Sequence, residues 1–169
     1  MRFQLRKTED RDISAVMNII KQAQQYFKEK NIDQWQNGYP NELIIKEDIK
    51  KGWSYILTDD DNVVATAAIS FEGEQTYDEI YEGRWLSDEK YAVIHRICVN
   101  NEFKGNGLAS QILDSAERLC IERNVHSIKI DTHKENVSMQ RSLVKKGYKY
   151  CGIIYLEDKS ERIAFEKLF

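Results

Sequence analysis

Two features of the sequence predict a single domain with a mixed α/β fold. The predicted elements follow one another as β-α-α-β-β-β-α-β-α-β-β, which is neither a strict βαβ alternation nor an all-β pattern. The 169 residues are 41% hydrophobic and 11% aromatic, which is enough for a buried core, and no repeat or linker interrupts them. We therefore expect one domain over residues 1–169.

The first half of the chain is expected to form a strand, two helices and a β-hairpin. The first helix follows Asp12, its predicted N-cap, and repeats apolar residues at intervals of three and four. Residues 31–40 hold the single proline and interrupt helical order, and the acidic run 59–62 predicts the hairpin turn. The predicted elements are a strand at 3–7, a helix from Ile13, a short helix ending before Gly52, and strands at 53–58 and 63–71.

The second half is expected to alternate strands and helices before a final pair of strands. The helix that begins at Leu108 repeats apolar residues along one face as far as Cys120, and Gly147 is expected to end the later helix. The predicted elements are a strand at 91–99, a helix from Leu108, a strand at 127–131, a helix at 137–146, and strands at 148–156 and 162–168.

The loop between Val99 and Leu108 is the strongest functional signal. The first N–H groups of a helix lack intrahelical partners and lie at the positive end of its dipole. Gly107 and the small Ala109 would let a ligand approach that backbone closely, which favours a phosphate or pyrophosphate.

Three interpretations of this loop compete. It is an ordinary strand–helix turn, a dinucleotide-binding loop, or the acyl-CoA loop of an N-acetyltransferase. Gly105-x-Gly107-x-x-Ser110 approximates the dinucleotide fingerprint, and Asp131 ends the next strand. Against that interpretation, a serine replaces the third glycine and the chain offers no second nucleotide-binding half. A P-loop is excluded because no Gly-Lys-Ser/Thr follows.

Two segments in this order resemble the GNAT superfamily of N-acetyltransferases. Residues 104–109, Lys-Gly-Asn-Gly-Leu-Ala, resemble its acetyl-CoA signature Arg/Gln-x-x-Gly-x-Gly/Ala, and residues 136–148 are similar to its second segment, Asn-x-x-Ala-x-x-Leu-Tyr-x-x-x-Gly-Phe. Lys104 stands where Arg or Gln is usual and still supplies a cation. Leu143 stands where many members have a tyrosine that protonates the leaving thiolate.

The resemblance implies the GNAT fold, a central, mostly antiparallel mixed sheet with helices on both faces. It also implies transfer of the acetyl group of acetyl-CoA to a primary amine, on a small molecule or a peptide, by direct attack in a ternary complex. The residues expected to bind acetyl-CoA lie on the central strand, in the glycine loop and at the start of the later helix: Ile97, Cys98, Val99, Lys104, Gly105, Asn106, Gly107, Leu108, Ala109, Ser110 and Asn136.

His95 is the candidate general base, because an imidazole titrates near neutral pH and the amine must lose a proton before it attacks. A histidine occupies the corresponding place in the family's arylalkylamine acetyltransferases. A structural histidine on the central strand is the competing interpretation. His133 is a second candidate and His126 is expected on the surface. No spacing of histidines and cysteines predicts a metal site.

The acceptor is expected to meet aromatic and acidic residues. Residues 72–89, which we call the acidic segment, contain seven acidic residues and only one basic one, Arg84, so they would attract a cationic amine or simply form a solvated loop. Aromatic residues in irregular segments either line a substrate site or plug the core. The candidate acceptor-binding residues are Trp35, Tyr39, Glu79, Tyr81 and Trp85.

Composition argues against several other classes. A net charge of -3 does not favour nucleic-acid binding, and no apolar run is long enough to span a membrane. Three scattered cysteines without a pairing pattern predict a reducing cytoplasm, and whether the protein forms a homodimer is left open. A catalytically silent acyl-CoA sensor remains the alternative function, and Leu143 is the residue that favours it.

Overall fold

The computed structural model describes residues 2–169 and contains a seven-stranded sheet and four α-helices. The strand order is β1-β2-β3-β4-β5-β7-β6, and β4 runs parallel to β5, whereas β1–β2, β2–β3, β5–β7 and β6–β7 are antiparallel. The predicted mixed α/β class is confirmed. The elements are β1 Phe3–Lys7, α1 Ile13–Glu29, α2 Glu42–Lys51, β2 Ser54–Asp59, β3 Asn62–Ser70, β4 Ala92–Val99, α3 Leu108–Glu122, β5 Ser127–Thr132, α4 Val137–Lys145, β6 Lys149–Tyr155 and β7 Glu161–Leu168.

Contacts within the chain define two compact units. The first contains the chain up to Ile69 together with Arg96–Ser115, and the second contains Ser70–His95 and Ala116–Phe169. In the first unit, apolar residues of α1, α2 and β2 form a buried cluster: Ile13, Val16, Ile20, Ile45 and Ile56. This burial of the predicted apolar face holds α1 against the sheet strands of its own unit.

Helix α1 begins where the sequence predicts, but Asp12 does not cap it. The Asp12 carboxylate accepts a hydrogen bond from the N–H of Glu9 at 2.8 Å and pairs with Arg6 at 2.7 Å. The short 3-10 turn before α1, Asp10–Asp12, gives Asp12 helical backbone angles, so its side chain points back along the chain. Asp12 thus lies at the predicted N-cap position of α1, but its side chain makes no capping hydrogen bond to the helix. Asn41 caps α2, its side chain accepting from the N–H of Ile44.

In the second unit, β6 and β7 form the antiparallel pair that the end of the sequence predicts. Its core includes Tyr77, Val93, Ile154 and Ala164. The parallel ladder between β4 and β5 consists of two residue pairs, Ala92 with Ile128 and Val93 with Lys129. The ladder thus ends near the beginning of β4, and burial along this strand falls from Ala92–Ile94 to the half-buried residues that follow.

The acidic segment is packed against other parts of its own unit rather than solvated throughout. Tyr81 and Ile153 exchange backbone hydrogen bonds of 2.8 Å, so the segment adds to the edge of β6. The fully buried Glu166 accepts from the N–H of Leu86 at 2.6 Å and from the Ser127 hydroxyl at 2.7 Å. These contacts fix the part of the chain that leads into β4.

Candidate functional site

The glycine loop combines left-handed backbone angles with open surroundings. After β4 a short 3-10 turn leads to Gly105 and Gly107, whose φ angles of +84° and +71° lie in the left-handed region that favours glycine. A Cβ placed on either glycine would meet no heavy atom within 4 Å. Lys104 to Gly107 are exposed and Leu108, the first residue of α3, is buried. The loop therefore leaves open space beside the start of a helix.

The chain next to this loop is tied to α1. The N–H of Asn101 donates to the Gln22 side chain at 2.8 Å, and the Lys104 ammonium lies 4.6 Å from the centre of the Tyr26 ring. A cavity of about 560 Å³ opens here, lined by Asn18, Lys21, Gln22, Gln25, Tyr26, Glu29, Asn101 and Lys104. Of the predicted cofactor residues, Lys104 is thus held at the wall of a polar groove.

The backbone of β4 is kinked at Arg96, just before the strand residues that were predicted to bind the cofactor. Arg96 has a φ of +53°, which is strained for a residue other than glycine. Its guanidinium forms hydrogen bonds of 2.7 to 3.0 Å with both carboxylate oxygens of Asp48 and a 2.9 Å bond with the Tyr39 hydroxyl. The pairing of Arg96 with Asp48 could not be predicted from the sequence, because no local pattern links α2 with β4.

The predicted strand residues Ile97, Cys98 and Val99 follow this kink and are all half-buried. Burial raises the pKa of the Cys98 thiol to about 12. It has the same effect on the other two thiols, raising the pKa of Cys120 to about 12 and that of Cys151 to about 11. A thiolate, which is the nucleophilic form of cysteine, is therefore disfavoured at all three positions at neutral pH.

His95 is paired with Glu74, at the beginning of the acidic segment. His95 Nε2 lies 3.1 Å from Glu74 Oε2, and about a fifth of the His95 side chain is exposed. The hydrogen bond from His95 is the largest of the effects that lower the pKa of Glu74 to about 2, so this carboxylate is ionised at neutral pH. Glu74 was not among the predicted site residues, because the sequence showed only that it lies in the acidic segment.

A second carboxylate, Asp131 on β5, lies in the electrostatic environment of His95. The Tyr77 hydroxyl donates to Asp131 Oδ2 at 2.6 Å, and Tyr77 is buried. Burial is the largest cause of the raised pKa of Asp131, and the nearby charge of His95 opposes it. The surroundings of His95 in this unit are therefore acidic.

Two predicted acceptor-binding residues lie in the first unit. Trp35 packs edge-on against Phe27 of α1, with ring centres 5.7 Å apart. Tyr39 is exposed, and its hydroxyl accepts the hydrogen bond from Arg96. Trp35 thus contacts the core, whereas Tyr39 is linked to the kinked residue of β4.

The other three lie in the second unit. Tyr81 is exposed, and its hydroxyl donates to Glu79 at 2.8 Å. The Trp85 indole N–H donates to the Tyr77 carbonyl at 2.9 Å, and its ring lies 4.5 Å from the Lys129 ammonium. The contacts of Trp85 hold the acidic segment in place. Tyr81 and Glu79 contact each other at the surface.

Helix α4 carries the second family-like segment. The side chain of Asn136 accepts from the N–H of Met139 at 3.2 Å, so this residue caps the helix as expected. Leu143 is fully buried, as expected for a residue that packs. His133, the second candidate base, is buried, and its Nδ1 accepts from the N–H of Glu135.

None of the helices within residues 2–169 is long and apolar enough to cross a membrane. Over the same described part of the chain, no group of three or more His, Cys, Asp or Glu side chains is arranged to hold a metal ion.

Comparisons with known proteins agree with this geometry. The model of the acetyltransferase (GNAT) family matches residues 18–148. A GNAT-family acetyltransferase structure from Streptococcus agalactiae is 35% identical and has a TM-score of 0.90, covering 99% of this chain and 95% of that chain. No curated protein matches the sequence significantly.

More distant structures share the fold. A GNAT-family acetyltransferase from Listeria monocytogenes is 21% identical, with a TM-score of 0.76, over 99% of this chain and 95% of that chain. The ribosomal-protein-S18-alanine N-acetyltransferase from Escherichia coli is 14% identical, with a TM-score of 0.67, over 99% of this chain and 94% of that chain. At these identities the likeness shows the fold alone.

Proposed function

The chain belongs to the acetyltransferase (GNAT) family and is an acetyl-CoA-dependent acyltransferase, and we propose that it acetylates a primary amine on a small molecule or a peptide. One observation carries this proposal: β4 holds His95, paired with Glu74, and runs directly into an open glycine loop at the start of α3. The base and the phosphate-binding loop that amine acetylation needs therefore belong to one continuous stretch of chain.

The glycine loop fits a pyrophosphate. Positive φ angles at Gly105 and Gly107 turn the backbone, and the space beside both glycines is open. The amides from Asn106 to Ser110 would bind the pyrophosphate at the positive end of α3, with Lys104 as the nearby cation. Backbone groups of Ile97, Cys98 and Val99, together with Asn136, would hold the rest of the cofactor.

His95 would remove the proton from the acceptor amine. Alkylamines are charged at neutral pH and do not attack a carbonyl carbon until they lose a proton. Bound acetyl-CoA supplies the activated thioester. Direct attack by the amine is favoured over an acyl-enzyme, because burial holds the pKa of Cys98, Cys120 and Cys151 far above neutral pH.

The acceptor would carry a positive charge before the reaction. The acidic segment and Asp131 create a negative field around His95 that favours a cationic amine. Tyr39, Tyr81 and Glu79 present exposed side chains that would contact the acceptor, and Trp35 and Trp85 would support these surfaces. We place the protein in the cytoplasm, where its three cysteines would stay reduced.

The alternative is an acyl-CoA sensor that binds without catalysis, and the buried Leu143 at the usual tyrosine position favours it. Free-thiol detection with acetyl-CoA and a broad panel of primary amines and peptides separates the two. We expect CoA release that depends on an amine, and a loss of turnover of roughly 10²–10⁴-fold in His95→Gln with acetyl-CoA affinity retained. Binding of acetyl-CoA without acetylation of any amine would support the sensor.

A further inference from the structure

We infer that Glu74 is a positioning residue for His95, holding the Nε2 proton so that Nδ1 is the atom that takes the proton from the acceptor amine. The inference rests on the proposed function of His95 and adds the reacting atom and the residue that selects it. It follows from the orientation of the ring: Nε2, and not Nδ1, faces Oε2 of Glu74 at 3.1 Å.

The chemistry of the pair determines which nitrogen carries hydrogen. An ionised carboxylate can only accept hydrogen bonds, so the nitrogen that faces it must be protonated. Glu74 is ionised at neutral pH because its pKa is lowered to about 2. In the neutral imidazole the single proton is then on Nε2, and the lone pair is on Nδ1.

Glu74 is itself held at both carboxylate oxygens. While Oε2 faces His95, Oε1 accepts from the N–H of Thr76 at 3.3 Å and from its hydroxyl at 3.1 Å. The backbone N–H of Glu74 also donates to the Tyr91 hydroxyl at 3.3 Å. The carboxylate therefore cannot rotate without breaking other hydrogen bonds, which is the property that a residue needs to orient a catalytic ring.

The other charged groups in the surroundings of His95 have different roles. Asp131 on β5 interacts with His95 and with Glu74 through its charge, but it takes its hydrogen bond from Tyr77, and Arg162 on β7 partly offsets its charge. Asp131 thus has Tyr77 as its hydrogen-bond partner and does not hold the His95 ring. Glu74 is the carboxylate in direct contact with His95.

The reaction step is balanced by these atoms. One proton moves from the acceptor ammonium to Nδ1, which leaves a neutral amine and an imidazolium whose second proton remains on Nε2 beside Glu74. The amine lone pair then forms the C–N bond to the thioester carbonyl carbon, and the C–S bond breaks with its electrons on sulfur. After the attack the nitrogen carries two protons, of which it loses one and the product amide keeps the other. That proton and the Nδ1 proton are later released, one to the thiolate and one to solvent.

The test combines the tautomer of His95 with the turnover of Glu74 variants. Nitrogen-15 NMR of the free wild-type protein should show the neutral His95 ring protonated at Nε2. Glu74→Ala should lower kcat by about 10- to 100-fold, with KM for acetyl-CoA unchanged. Glu74→Gln, whose side-chain oxygen can still accept from Nε2, should keep the tautomer and recover most of the kcat that Glu74→Ala loses.

Glu157→Gln is the control, because it removes a carboxylate from an exposed position outside the acidic segment. Its kcat should match that of the wild type. A wild-type ring with its lone pair on Nε2, or a kcat of Glu74→Ala equal to that of Glu157→Gln, would overturn the inference alone. Unchanged turnover in His95→Gln would overturn both the proposed base and this inference, and so separates the two failures.

Discussion

Two pairs of glycines in this protein meet opposite surroundings. Gly105 and Gly107 in the glycine loop have open space where a side chain would begin. Gly83 in the acidic segment and Gly152 on β6 have none: a Cβ on Gly83 would lie 2.0 Å from the Cys151 carbonyl oxygen, and one on Gly152 would lie 2.5 Å from the Tyr81 carbonyl oxygen. The first pair leaves room for a ligand, and the second lets two backbone segments touch.

We expect substitutions at the two pairs of glycines to affect different properties, binding in one case and stability in the other. Substitution in the glycine loop should weaken binding, because the added atoms enter the space proposed for the ligand. Substitution at the packed glycines should change how the acidic segment docks on β6, and with it the position of Glu74 and its partner His95.

Gly83→Ala should be the most damaging of these substitutions. The new methyl group would overlap the backbone at Cys151, which cannot move without disturbing β6. We expect a loss of about 4 kcal/mol or more in the free energy of unfolding, measured by urea denaturation. Gly105→Ala is the control and should cost about 1 kcal/mol, the strain of a left-handed backbone. Equal losses in the two variants would remove the distinction between packed and open glycines.

The pair formed by Glu74 and His95 should also make the free energy of unfolding depend on pH. The pKa of the Glu74 carboxyl is about 2 in the folded protein, below its ordinary 4.5, chiefly through the hydrogen bond from His95. The unfolded chain therefore binds a proton at higher pH than the folded chain does. The stabilisation is fully present above about pH 4.5, is lost as the pH falls toward 2, and amounts to at most about 3 kcal/mol.

Urea denaturation between pH 2 and pH 6 measures this effect. The free energy of unfolding of Glu74→Gln should depend less on pH in that range than the wild-type value does. Parallel curves for the two proteins would show that the pair with His95 does not stabilise the fold.

Gly107→Val tests whether the open space in the glycine loop binds the pyrophosphate. A β-branched residue with positive φ is strained by about 1–2 kcal/mol, and its methyl groups would occupy the space proposed for the pyrophosphate. We expect calorimetry to show affinity for acetyl-CoA reduced at least about tenfold in a folded protein. Gly38→Val is a matched control, because Gly38 also has a positive φ and open surroundings but lies outside the loop. Unchanged affinity in Gly107→Val would contradict the proposed phosphate site.

The same division explains what the sequence could and could not predict. The loop and α3 were predictable because glycine spacing and helical periodicity are local patterns. Glu74, Gly83 and Asp48 were not, since their roles depend on partners far along the chain: His95, Cys151 and Arg96. Asp12 lies at the predicted N-cap position, but a 3-10 turn before α1 engages its carboxylate, and the sequence pattern does not show which backbone N–H the side chain binds.

Of the substitutions considered, Leu143→Tyr is expected to have the smallest effect on function. Leu143 belongs to the segment that resembles the family's cofactor motif, yet its side chain is fully buried and packs in the interior. A thiol with a pKa of about 8.5 leaves tolerably as its anion, so we expect catalysis to proceed without a tyrosine acid at this position. We expect Leu143→Tyr to change turnover by less than about tenfold and to cost about 1–3 kcal/mol of stability through overpacking. Leu143→Phe adds similar bulk without the hydroxyl and is the control for size. If Leu143→Tyr were faster than both the wild type and Leu143→Phe by much more than tenfold, the native chain would lack an acid that its reaction needs.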